Sequence, residues 1–358
     1  MNTNGGVPIP PERARAAHEV AAVLAGAKHL VLTTHVNADG DGVGSEIGLW
    51  HLLRARGVTV SIANPTRIPS RFDFLIPAGA DASDRALQEI ARADVIAALD
   101  VGDISRLGVL APAVRERDDV PFVCIDHHVG PVKLPSGPCL IAPEATATAE
   151  LVFDLASAAG WPLTPESAQA LYVGLLTDTG GFRFSNTTAR ALRVAAALLE
   201  KGVDPESIYA SVYASAPEGR VRLLAEVLQT LVVEPDIGLA WVSVPPDALR
   251  RHETTADDLD GIVEFPRSIA GVRLALLFRQ IANGRIKVSF RSMGEVDVAA
   301  LAHQFGGGGH YRAAGASLAG SMAEAEAKVL AAARRYLADG SAAPASPAAQ
   351  LGGSIGGA

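Results

Sequence analysis

Hydrophobic positions fall into two kinds of run along this chain. Residues 30–34, 58–63, 95–99 and 122–125 are short, nearly continuous apolar stretches, the pattern of strands buried on both faces. Between them, residues 46–56 and 84–93 space their apolar side chains at three and four, as one face of a helix does. Residues 147–159, 165–177 and 188–201 continue that helical spacing. The alternation predicts an α/β fold, a parallel sheet with helices on both faces. Helical connecting material then runs from Pro205 to about Val233, with a polar break at 215–219. A second, smaller α/β unit follows. Its strand-like segments are 239–244, 272–279 and 285–291, with Asn283 and Gly284 as a hairpin turn; residues 296–304 and 321–337 have helical spacing. The expected organisation is a loose N-terminus over 1–10, a first domain over 11–203, a helical linker over 204–234, a second domain over 235–339 and a disordered tail over 340–358. The tail carries no charge and little beyond Ala, Gly, Ser and Pro, too little apolar surface to order itself.

Composition narrows the classes of function. The 358 residues are 49% hydrophobic and 20% charged, ample for buried cores. Because 31 basic against 39 acidic residues leave a formal charge of −8, a general polyanion coat is excluded and any nucleic-acid contact is local. Cys124 and Cys139 are too few for a disulfide scaffold or a zinc cluster, and a reducing cytoplasm is the expected compartment. No run of 18 apolar residues exists, so no membrane span is expected. Residues 20–27 imitate a signal-peptide core, but Glu19 and Lys28 bracket them and the run is at the short limit. They read as the first amphipathic helix.

Four element ends carry chemistry. Segment 34–45 places His35, Asp39 and Asp41 in a glycine-rich turn after a strand, where open α/β sheets bind ligands. Imidazole with carboxylate suits Mn²⁺, Co²⁺ or Zn²⁺; the plainer alternative is a loop of solvated acids with Ser45 as a cap. A dinucleotide fingerprint fails on register, since the third glycine position falls on Ser45 or Ile47. The strand over 95–99 ends in Asp100, and that over 122–125 ends in Asp126, His127 and His128. The helix over 165–177 ends in Asp178 before Gly180 and Gly181, an unfavourable place for an acid at the negative end of a helix dipole. With only nine histidines in the chain, a shared metal centre is the economical explanation.

This set resembles the DHH phosphoesterase superfamily, whose naming motif stands here as Asp126-His127-His128. The second unit carries Phe305, four glycines over 306–309, His310, Tyr311, Arg312 and Gly315, similar to the glycine-rich signature of the DHHA1 domain. The length is similar to the oligoribonuclease (nanoRNase)/pAp-phosphatase subgroup, whose relatives include cyclic-dinucleotide phosphodiesterases. The resemblance implies a parallel-sheet DHH domain, a helical linker and a smaller α/β DHHA1 domain. It implies two divalent ions, Mn²⁺ first, with Co²⁺, Mg²⁺ or Zn²⁺ as alternatives. His35, Asp39 and Asp100 would hold one ion; Asp41, Asp100, His127 and Asp178 would hold the other, with Asp100 bridging. His128 would face the substrate phosphate and Asp126 would orient a neighbouring imidazole. Ala38 stands where relatives commonly have Pro, a change in turn rigidity and not in ligands.

Recognition is expected from the second domain. Between Phe265 and Gly315 the excess of positive charge is +5, from seven Arg/Lys against two acids. Arg279, Arg291, Ser292, His310 and Arg312 are the candidate phosphate readers, with Gly307, Gly308 and Gly309 letting backbone approach a ligand. The alternative is a glycine hinge beside surface arginines. The implied substrates are short single-stranded RNA and 3′-phosphoadenosine 5′-phosphate (pAp), with no membrane partner, and a homodimer is compatible with the family. Alternatives are a cyclic or linear dinucleotide phosphodiesterase and a non-enzymatic nucleotide sensor. Four intact His/Asp motifs argue against the sensor.

Overall fold

A computed structural model of the chain describes residues 4–214, 216–281 and 284–338, the side chain of His310 excepted. The chain divides into two compact units at residues 215/216. The expected tail over 340–358 and the turn residue Asn283 lie outside the described residues.

In the first unit, strands β1 (His29–Thr33), β2 (Thr59–Ile62), β3 (Val95–Leu99), β4 (Phe122–Asp126) and β5 (Cys139–Ile141) form an all-parallel sheet of order β2-β1-β3-β4-β5. The helices are α1 (Pro11–Gly26), α2 (Gly40–Arg54), α3 (Ala86–Arg92), α4 (Ala111–Arg115), α5 (Thr148–Ala158), α6 (Pro165–Asp178), α7 (Ala189–Leu199) and α8 (Pro205–Tyr213). Alternate strand residues bury into two separate cores. Leu30, Leu32, Ala97, Leu99, Val123 and Ile125 pack with residues of α1, α2, α5 and α6; Val31, Ile96, Ala98 and Cys124 pack with Ile90 of α3 and Val114 of α4. Both faces are covered, which is why the strands read as continuous apolar runs. The strand order reverses direction between β1 and β3, and at such a switch point the carboxyl ends of strands open a crevice.

Two sequence expectations change here, and one strand is added to them. The N-terminus is docked from residue 4: buried Asn4 donates to the Trp161 carbonyl at 2.9 Å and accepts from the Leu163 amide at 3.1 Å, and Val7 joins the core. Helix α2 begins at Gly40, inside the expected turn, because the Asp39 side chain caps the Asp41 and Gly42 amides. The short β5, between Pro138 and Pro143, carries too few residues to show a pattern.

The second unit is a six-stranded mixed sheet, β6 (Val232–Glu234), β7 (Leu239–Ser243), β8 (Leu274–Gln280), β9 (Ile286–Ser292), β10 (Gly308–His310) and β11 (Ala313–Leu318), in the order β10-β11-β9-β8-β7-β6. Only β7 and β8 pair in parallel. Its helices are α9 (Glu218–Leu228), the single turns α10 (Ala248–Arg251) and α11 (Glu264–Arg267), α12 (Val298–His303) and α13 (Met322–Ala338). Leu274, Leu276, Phe278 and Phe290 pack with Leu301 and Val329; Ala240, Val242 and Leu277 pack with Leu223 and Val227 of α9. Helix α9, expected in a linker, is therefore part of the second unit's core, and β6 replaces the helical end expected near Val233. Strands β10 and β11 consist of Gly, Ala, Ser, one His and one Leu, without a β-branched residue, so pairing and burial override their propensity.

Candidate metal centre

Every carrier of the site sits at an element end on the carboxyl side of the parallel sheet. His35 follows β1, Asp39 and Asp41 open α2, Asp100 follows β3, His127 and His128 follow β4, and Asp178 closes α6. The structure brings His35, Asp39 and Asp100 into one group and Asp41, His127 and Asp178 into another, ligand atoms within 4.8 Å of each other in each group. His35 Nε2 lies 3.3 Å from Asp100 Oδ2 and 3.8 Å from Asp39 Oδ2. His127 Nε2 lies 3.6 Å from Asp100 Oδ1, 3.7 Å from Asp41 Oδ2 and 3.7 Å from Asp178 Oδ2. The two oxygens of Asp100 thus face different groups. Its backbone adopts φ 61°, the left-handed region that Asp tolerates better than most residues; that turn swings the carboxylate off the strand into the crevice.

Only the His35–Asp100 separation, 3.3 Å, falls within the spacing of two donors on one ion; the others, 3.6–3.8 Å, exceed it by a few tenths of an ångström and are too long for hydrogen bonds. Two donor atoms on one ion at bonds of about 2.0–2.2 Å lie roughly 3.0–3.5 Å apart. Both imidazoles are pre-set for this. His35 Nδ1 faces the Val36 carbonyl at 2.9 Å and His127 Nδ1 faces the Ala145 carbonyl at 3.2 Å. A proton on each Nδ1 leaves Nε2 as the ligating lone pair. His35 Nε2 is buried without a hydrogen-bond partner, an orphaned polar atom that a metal ion would satisfy. The residues fit a pair of divalent ions, and nitrogen with oxygen donors and no thiolate suits Mn²⁺, Co²⁺ or Zn²⁺.

Charge tells the same story. Burial alone would lower the His35 imidazole, but the neighbouring carboxylates of Asp100 and Asp39 push it up to about 10; His127, likewise opposed by burial, is raised to about 9 by Asp41, Asp178 and Asp100. Burial pushes the Asp178 carboxyl up to about 6 and the Asp41 carboxyl well above its usual range. Asp100 goes the other way: burial opposes it, yet His35, His128 and His127 hold it well below the usual carboxylate range. Four crowded carboxylates call for positive charge, which metal ions would supply in place of protons.

The surrounding elements are built to hold these groups. Asp41 sits on the N-terminus of α5, taking the Thr148 amide at 2.6 Å and the Ala149 amide at 2.9 Å. Helices α2 and α6 meet backbone to backbone: a Cβ on Gly44 would lie 2.4 Å from the Ala170 carbonyl, and one on Gly174 would lie 2.9 Å from Asp41 Oδ1. These glycines serve helix contact, which explains why no dinucleotide register fits them. Asp126 is buried and its Oδ1 meets His128 Nδ1 at 2.7 Å.

Three residues without a clear sequence signal complete the centre. Arg106 Nη1 lies 3.0 Å from His128 Nε2 and donates to the Asp100 carbonyl at 3.3 Å. Asn186 donates to Asp178 Oδ2 at 3.2 Å and to the Asp178 carbonyl at 3.1 Å. Thr148 Oγ1 donates to Asp100 Oδ1 at 3.0 Å. For Arg106 a faint signal exists in the spacing of Asp100, Asp103 and Arg106 after a strand; Asn186 and Thr148 leave none, because their contacts are made across the fold.

In the second unit, Arg279 Nη1 donates to the Ala256 carbonyl at 3.3 Å, Arg291 pairs with Glu264 at 3.2 Å, and Arg312 is exposed. The structure departs from the expectation for Ser292. It is fully buried and donates its hydroxyl to the Val296 carbonyl at 2.7 Å, so it shapes the 292–296 turn and offers nothing to a ligand. Gly307 and Gly309 also have a fold reason: added Cβ atoms would lie 2.2 Å from the Gly315 carbonyl and 2.5 Å from the Ala313 carbonyl. A Cβ on Gly308 would meet only His303, at 3.5 Å. The His310 side chain lies outside the described residues.

A parallel α/β sheet whose carboxyl edge carries two adjoining His/Asp donor sets, followed by a mixed-sheet domain, defines a metal-dependent hydrolase. Residues 29–175 match the DHH family N-terminal domain and residues 239–339 the DHHA1 domain. The chain belongs to the DHH/DHHA1 phosphoesterase family. It is 34% identical to the bifunctional oligoribonuclease and PAP phosphatase of Thermus thermophilus over 94% of this chain and 98% of that protein. Identity to the Bacillus subtilis protein of the same description is 29%, over 81% of this chain and 89% of that protein. The fold matches the crystal structure of an exopolyphosphatase-related protein from Bacteroides fragilis with TM-score 0.84 and 29% identity, covering 91% of this chain and 96% of that one. Among the described residues no helix is long and apolar enough to cross a membrane.

Proposed function

We propose that this protein is a two-metal phosphohydrolase that cleaves very short RNA to mononucleotides and removes the 3′-phosphate of pAp, with Mn²⁺ as the working ion. The observation that carries this is Asp100, one carboxylate with its two oxygens turned to two adjoining donor sets. The relatives' description as oligoribonuclease and PAP phosphatase supplies the substrate class. Free Cys124 and Cys139 support a reducing, cytoplasmic setting.

His35, Asp39 and Asp100 would hold one ion and Asp41, Asp100, His127 and Asp178 the other. A bound pair of divalent ions supplies Lewis acidity and lets water act as a nucleophile near neutral pH. The chain's own groups do the rest. Asp126 accepts a hydrogen bond from His128 Nδ1–H, which orients the ring, and His128 Nε2 lies against Arg106, so that the two side chains would meet the substrate phosphate together. Arg106, beside His128, presents a guanidinium to the phosphate oxygens and offsets their charge. In the second unit Arg279, Arg291, His310 and Arg312 recognise the remaining phosphates.

The test is a hydrolysis screen in Mn²⁺ across pAp, RNA of about two to twenty-four nucleotides, cyclic dinucleotides and pyrophosphate. Turnover of pAp and of the shortest RNA, falling with length, is the expected result. Preference for a cyclic dinucleotide would replace the substrate assignment, and tight nucleotide binding without any turnover would make the protein a sensor.

A further inference from the structure

Aromatic residues are scarce in this chain, 5% of the whole, yet Phe184, Tyr209 and Tyr213 stand 48%, 56% and 42% exposed. Tyr209 and Tyr213 lie one turn apart on α8, ring centroids 5.3 Å from each other. Helix α8 packs against the 3₁₀ segment Ser70–Leu75, which carries the exposed Arg71. Burial raises the Tyr213 phenol while the charges of Arg183 and Arg71 lower it.

Arg183 and Phe184 also meet at Gly180. Arg183 Nε donates to the Gly180 carbonyl at 2.7 Å, and the Phe184 ring fills the space over Gly180, where a Cβ would lie 2.3 Å from it. The Phe184 amide donates to the Thr179 carbonyl at 2.9 Å, and the turn is closed by Asn186 on Asp178. Exposed Phe184 and Arg183 therefore stand on the turn that leads away from Asp178, and the charge of Arg183 reaches Tyr213 on α8. A tyrosine pair at i,i+4 on its own does no more than support a helix. Here it shares its end of the unit with two arginines that form no ion pair with a carboxylate among the described residues, in a chain of net charge −8.

We infer that these rings and arginines form a stacking platform for the bases of a single-stranded oligonucleotide, holding nucleotides beyond the one whose phosphate is cleaved. The inference rests on the short-RNA reading of the metal centre. Exposed rings accept any base face-on, and flanking cations track the phosphates between bases. A substrate with one nucleoside, such as pAp, has no further base to place there.

The experiment compares the full chain with a Tyr209→Ala/Tyr213→Ala double variant and a Tyr209→Phe/Tyr213→Phe double variant. In Mn²⁺, kcat and KM are measured for pAp, a dinucleotide and a pentanucleotide; in chelator, binding of a fluorescent pentanucleotide is read by anisotropy. The alanine variant should weaken pentanucleotide binding and raise its KM by about 5- to 150-fold while pAp changes by less than about twofold. The phenylalanine variant should restore both. Unchanged pentanucleotide binding, or an equal loss on pAp with an unaltered Tm, would overturn the platform. Failure of the parent chain to hydrolyse RNA or pAp would overturn the substrate reading instead, with the anisotropy still deciding the platform.

Discussion

Asp100 concentrates the chemistry of this molecule in one side chain: fully buried, left-handed in backbone, and turned with one oxygen toward His35 and the other toward His127. Asp100→Asn keeps the shape and removes the charge. The expected result is a loss of turnover and of metal affinity of at least about 100-fold, beyond what loss of outer support costs, with Tm little changed; wild-type kcat in saturating Mn²⁺ would refute the shared-ligand assignment. Asn186 acts one step further out, by holding Asp178. Asn186→Ala should weaken the Asp178-containing metal site by about 10- to 100-fold, read as metal affinity by titration calorimetry, and saturating metal should recover much of the kcat. If excess metal recovers nothing, Asn186 has a role other than positioning.

At the scale of elements, the centre depends on how closely α2 and α6 approach. Gly174→Ala would force a methyl to within 2.6 Å of the Ala149 side chain and 2.9 Å of Asp41 Oδ1. Overpacking of this kind costs about 1–3 kcal/mol, so thermal unfolding should show a lowered Tm together with reduced metal binding. A second prediction concerns Glu46, buried on α2, whose Oε2 accepts from Asn64 at 2.8 Å while Oε1 has no partner. Burial, opposed by the Asn64 hydrogen bond, pushes its carboxyl up to about 8. The folded state therefore keeps a proton that the unfolded chain releases near its ordinary value of 4.5. Stability from this group is full below that value, falls as pH rises toward about 8, and levels off above. Glu46→Gln, neutral throughout, should gain Tm over the parent progressively between about pH 5 and pH 9; a constant difference across that range would show that Glu46 is charged in the fold.

At the scale of the whole molecule, each unit has its own apolar cores, and none of them is built on the candidate metal ligands. Metal is thus expected to serve chemistry more than folding. Removal with a chelator should abolish turnover, leave the far-ultraviolet circular dichroism unchanged, and be reversed by added Mn²⁺. Unfolding on chelation would mean that the crowded carboxylates of the centre cannot coexist without their cations.

The sequence by itself determined the alternation of elements and what stands at their ends. Two-sided burial makes parallel strands continuous in apolar residues, and polar residues collect where such strands stop, so His35, Asp100, Asp126, His127 and His128 are legible from the order of residues alone, and Asp178 from its place at the end of an apolar helix. Local pattern carries no information about partners distant in the chain. It could not show Asn186 on Asp178, Thr148 on Asp100 or Arg106 on His128. Nor could it show that buried Ser292 spends its hydroxyl on a turn, that a Gly/Asn-rich terminus docks through Asn4, or that β10 and β11 form from glycine and alanine. Those outcomes were decided by tertiary packing, because hydrogen bonds and close backbone contacts between distant segments outweigh the weak preferences of the residues that make them.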